Sequence, residues 1–70
     1  MINLQTRLLA AHAAYDTAAL VDLYTEAAAT ATTQNATGFY LTQAYIYALD
    51  VGHDDAATLR VRLVAMGREN

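Results

Sequence analysis

Seventy residues hold one domain at most, so the chain is read as a single unit over residues 1–70. Hydrophobic residues are 56% of it and cysteine is absent; this excludes a disordered tail, a disulfide framework, thiolate metal sites and a cysteine nucleophile. Four arginines face seven acidic residues for a net charge of −3, a balance that argues against binding to nucleic acid or an anionic membrane surface.

Sixteen alanines and no proline favour helix along the whole length. The first helix is expected from about Asn3 to Ala14, with Leu4, Leu8, Ala11 and Tyr15 on one apolar stripe. No basic region precedes an apolar core there, so the segment reads as part of the fold and not as a leader. Asp16 is placed to cap a second helix, "TAALVDLYTEAAATA". Leu20, Leu23, Tyr24, Ala27 and Ala31 line one side of it, with Asp22 and Glu26 on the other. The pattern decays in "TATTQN", where Thr and Asn favour caps and turns.

A third helix is predicted over Ala36–Val51. Tyr40, Leu41, Ala44, Tyr45, Tyr47, Ala48, Leu49 and Val51 cover so broad an arc that this helix should be central. Residues 27–49 carry no charge, yet the apolar part, "FYLTQAYIYAL", is too short to span a bilayer. Gly52 suits a left-handed helix end, and Asp54 or Asp55 can cap the fourth helix. That helix carries two stripes on opposite sides: Leu59, Leu63 and Met66 on one, Ala57, Val61 and Val64 on the other. Gly67 ends it. The expected architecture is all-α: four antiparallel helices stacked as two helical hairpins.

"GHDD" at 52–55 admits two readings. A metal site at His53 needs two or three further ligands, and adjacent aspartates seldom point the same way. Helix termination by Gly52 followed by initiation at Asp54 or Asp55 accounts for all four residues, so no metal and no cofactor are expected. Arg60, Arg62 and Arg68 gather near the C-terminus, opposed by Asp54, Asp55 and Glu69. No nucleophile triad, phosphate loop or spaced carboxylate pair marks a catalytic residue. The alternative to a purely structural set of aromatics is a small-molecule or catalytic pocket lined by Tyr40, Tyr45, Tyr47 and His53.

The motif "DTAAL" at 16–20 returns as "DAATL" at 55–59, each opening the second helix of a hairpin. Tyr24 and Ala27 follow the first copy at aromatic and small positions, and "ALDVGHDDA" reads as a junction between hairpins. In these features the chain resembles the tetratricopeptide-repeat family. The resemblance implies stacked helical hairpins and a role in binding other proteins, with none of the family's peptide-contacting positions matched.

The function expected is therefore a small protein-interaction or self-associating structural module. A chain this short, without disulfide or metal, gains most from a partner subunit. A homo-oligomer, in the first place a dimer, is expected, with Phe39, Ile46, Val61 and Val64 as its contact patch. No nucleic-acid or membrane partner is expected, and the cytosol is the default location.

Overall fold

The computed structural model describes residues 3–68 and contains four α-helices: α1 Leu4–Ala13, α2 Thr17–Thr30, α3 Gln34–Val51 and α4 Ala56–Ala65. No strand occurs among the described residues, and the all-α expectation holds. Glu69, set above against the C-terminal arginines, lies outside them. Linkers of three or four residues reverse the chain between helices, as antiparallel hairpins require.

Side chains start three of the helices. Asn3 Oδ1 accepts from the Thr6 amide at 2.8 Å, Asp16 Oδ1 from Ala19 at 3.2 Å, and Thr33 Oγ1 from Ala36 at 3.1 Å. Each satisfies an amide that the first turn leaves without a helical partner. The Thr33 cap starts α3 two residues earlier than the apolar pattern alone indicates. The fourth start corrects the sequence reading. Asp55 holds the N-cap position of α4, but its carboxylate makes no capping bond.

Three helix ends share one geometry. Gly52 and Gly67 adopt φ of 65° and 75°, and the next amides, His53 and Arg68, donate back to Ala48 and Leu63 carbonyls at 2.8 and 2.9 Å. The same 6→1 bond closes α1, from the Asp16 amide to the Ala11 carbonyl at 2.9 Å. There the left-handed residue is Tyr15, at φ 53° and 89% exposed. Tyr15 thus lies beyond α1 and not on its packed stripe, another correction. A left-handed conformation costs an L-residue about 1–2 kcal/mol, partly offset by the chain entropy that glycine loses on folding. Tyr15→Gly is expected to stabilise the protein by about 0.5–1 kcal/mol, a rise of several degrees in Tm by calorimetry. An unchanged or lower Tm would show that Tyr15 makes compensating contacts.

The helix seams among the described residues are sequential, α1 on α2, α2 on α3 and α3 on α4, with the α2–α3 seam the most extensive, while single side chains such as His12 and Tyr47 bridge α1 and α3. The result is an open row measuring 34 × 28 × 13 Å between Cα extremes. One core cluster joins Val21 and Ala28 of α2, Leu41, Ala44 and Ala48 of α3, and Leu59 and Leu63 of α4. A smaller one joins Ala11 to Leu20 and Leu23, with Leu4 and Leu8 packed on it. Helix α2 therefore buries two sides, because it lies between α1 and α3. Its single expected stripe accounts for one cluster, while Val21 and Ala28 serve the other.

Helix α4 turns Leu59 and Leu63 inward, with Met66 packed on them, and leaves Val61 and Val64 exposed. Near its end, Arg68 Nη2 donates to Asn35 Oδ1 at 2.7 Å, and its side chain lies across Gly38 of α3. A Cβ at position 38 would collide with that side chain, so a residue without one lets Arg68 cross α3 closely.

Candidate functional site

Three groupings of side chains invite a functional reading. The first is the aromatic set. Tyr24 of α2 stacks on Tyr40 and Tyr47 of α3, at ring-centroid distances of 6.2 and 5.9 Å. His12 of α1 meets Tyr24 and Tyr47 edge-on, and its Nε2 is 2.9 Å from the Tyr24 hydroxyl. Of the four expected pocket residues, Tyr40 and Tyr47 meet on Tyr24, and Tyr45 is half-buried against the core. The polar neighbours of His53 are instead Asp22 and Asp55. No cavity opens among the described residues. Sequence spacing placed Tyr24 on the packed face of α2. The pairing with His12 depends on how α1 folds back, which periodicity does not express.

Burial, and after it the Tyr47 and Tyr40 phenols, raise the Tyr24 hydroxyl above the usual tyrosine value of 10.0. The folded state thus favours the neutral phenol. The stability linked to this shift is in place below pH 10.0 and is lost as pH rises through the raised folded value. Urea midpoints should fall between about pH 9 and about pH 11, and Tyr24→Phe should fall less. An equal fall in both proteins would remove Tyr24 as the cause.

The second grouping is Asp22, His53 and Asp55, whose ligand-type atoms lie within 4.8 Å of one another. His53 Nε2 is 4.0 Å from Asp22 Oδ1, and Nδ1 is 3.8 Å from Asp55 Oδ2. Asp22 is the residue that the sequence reading missed; it sits 31 positions before His53 and meets it only through the packing of the helices. The arrangement also explains the start of α4. The Asp55 amide, one residue before α4, donates to His53 Nδ1 at 3.0 Å, so the imidazole fixes the turn that leads into the helix while the Asp55 carboxylate makes no capping bond.

That bond occupies the Nδ1 lone pair, and the neutral ring then carries its proton on Nε2, toward Asp22. A cation on Nε2 would have to displace this proton while Nδ1 still accepts the amide, and a cation on Nδ1 would break the amide bond. We expect His53→Ala to cost about 1 kcal/mol, and Asp54→Ala or Asp55→Ala clearly less. Zinc should leave the Tm unchanged. A zinc-dependent rise, abolished by His53→Ala, would establish the three side chains as ligands.

The third grouping is apolar and outward. Phe39 and Ile46 of α3 are 55% and 51% exposed, and Val61 and Val64 of α4 are 67% and 44% exposed. Leu49 of α3, at 58%, joins them and was assigned to the packed arc by the sequence. Scattered apolar residues are ordinary on a surface, but two adjacent helices each carrying an outward apolar stripe are not. No helix among the described residues is long and apolar enough to cross a membrane.

No family model, curated protein or solved structure matches the chain.

Proposed function

We propose that the chain is a small protein-interaction module that works through the outer apolar sides of α3 and α4. The observation that carries this reading is the exposure of Phe39, Ile46, Val61 and Val64 on helices whose opposite sides already fill the core. An open row leaves such surface uncovered, and covering it is worth roughly 25 cal/mol per Å² of apolar area. The recurrence of "DTAAL" as "DAATL" agrees with a repeat-like binding scaffold. The absence of cysteine agrees with a place in the reducing cytosol.

A photo-activated cross-linking residue at Ile46 or Val61, introduced in the host cell, tests the reading. Protein adducts are expected at both positions and not at the exposed Ala29 of α2. Adducts no more abundant than at Ala29 would overturn it.

A further inference from the structure

The outer side of α3 has a spacing of its own. Phe39, Thr42, Ile46 and Leu49 follow one another at intervals of three, four and three residues. This is the a/d repeat of a coiled-coil seam. Phe39, Ile46 and Leu49 are all more than half exposed, while Leu41, Ala44 and Ala48 on the other side are buried. The Thr42 hydroxyl donates to the Gly38 carbonyl at 2.8 Å, so at the seam Thr42 acts as a small side chain whose polar group is already satisfied.

Resting on the interaction reading above, we infer that the partner is a second copy of this chain, joined through an antiparallel α3–α3′ seam. In that register Phe39 faces the partner's Leu49, Thr42 faces the partner's Ile46, and the two-fold axis crosses at the level of Ala44. Each contact pairs a large side chain with a large one or a branched one with a small one. A two-fold contact must be complementary to itself, and this stripe is.

Charge favours the same occupant. Each chain carries −3, so two copies repel unless the surface they share is neutral. The stretch 27–49 has no charged residue of its own, and the Arg68 side chain that lies across Gly38 reaches it at one end, where it is bonded to Asn35. Asp50 lies just beyond the stripe. Antiparallel pairing holds the two Asp50 side chains at opposite ends of the seam and opposes the helix dipoles; parallel pairing would bring both like charges and like poles together.

Light scattering on the purified chain at micromolar concentration is expected to give about twice the 7.6 kDa chain mass. Ile46→Glu, with its helical signal retained, should give the single-chain mass. The protein has no cysteine of its own, so Phe39→Cys and Leu49→Cys provide unique thiols. Under oxidation their mixture should form the mixed disulfide, and neither variant alone should form a homodisulfide efficiently. A parent of single-chain mass, or an Ile46→Glu variant that keeps the double mass, overturns the inference. Efficient homodisulfides at position 39 overturn the antiparallel register. If adducts form at Ile46 in the cell while the purified parent is monomeric, the second copy is excluded and the interaction reading stands. Loss of both excludes both.

Discussion

Leu41→Ala is expected to leave the chain largely unfolded at about 25 °C. Leu41 is 1% exposed and belongs to the cluster that joins α2, α3 and α4. A buried leucine cut to alanine costs about 2–5 kcal/mol, the upper values where the site cannot collapse. A domain of this size has about 3–5 kcal/mol in hand. Collapse is difficult at Leu41, because its neighbours Ala44 and Ala48 have no reach with which to fill a void. Far-ultraviolet circular dichroism at fixed protein concentration reads the loss directly. Leu9→Ala, at a position 63% exposed on α1, should cost about 0.5 kcal/mol or less and serves as the control. A cooperative transition for Leu41→Ala within about 1 kcal/mol of the parent would show that the cluster is not the core.

The opposite change tests the same cluster from the other direction. Ala44→Leu is expected to destabilise the protein by about 2–3 kcal/mol, although leucine forms helix almost as well as alanine. Ala44 is fully buried within the core cluster that spans the α2–α3 seam. A leucine there must push the helices apart or leave its rotamer wells. Ala29→Leu, on the exposed side of α2, should stay within about 0.5 kcal/mol of the parent. Urea midpoints compare the two, and equal midpoints would mean that the seam has unused room.

The sequence was most informative where physics is local. Asp16 as a cap and Gly52 and Gly67 as left-handed stops are each recognisable from a few neighbouring residues, and the structure has them in those roles. Periodicity named both stripes of α4 without deciding between them; contact with the α2–α3 core turned Leu59 and Leu63 inward. Local rules failed where a tertiary neighbour intervened. Tyr15 continued an apolar stripe on paper, yet the chain needed a left-handed residue there to begin α2. His53 holds the turn before α4 through the Asp55 amide, a role expected of neither aspartate, and its proximity to Asp22 depends on two seams. Val21 and Ala28 lie off the one stripe expected of α2, and it is the packing of α3 that buries them. Leu49 read as core because α3 is apolar nearly all round, and only the position of its neighbours shows which residues are left outside.

The sequential packing also sets how the protein opens. The main helix seams join neighbours in the chain, so most native contacts link residues close in sequence, and little loop entropy is spent before packing begins to stabilise the fold. Folding should be fast and should spread outward from the α2–α3 hairpin. The ends of the row are held on one side only. Helix α1 has a single buried residue, Ala11, and its ion pair from Arg7 Nη1 to Glu26 Oε2, at 2.7 Å, is open to water. It is the element that leaves first. Its amides should exchange with solvent through partial detachment, while those around Leu41 and Ala44 wait for the whole chain to unfold. Each time α1 lifts away, Leu20 and Leu23 are bared on α2, so the chain has a transient hydrophobic surface in addition to its permanent one.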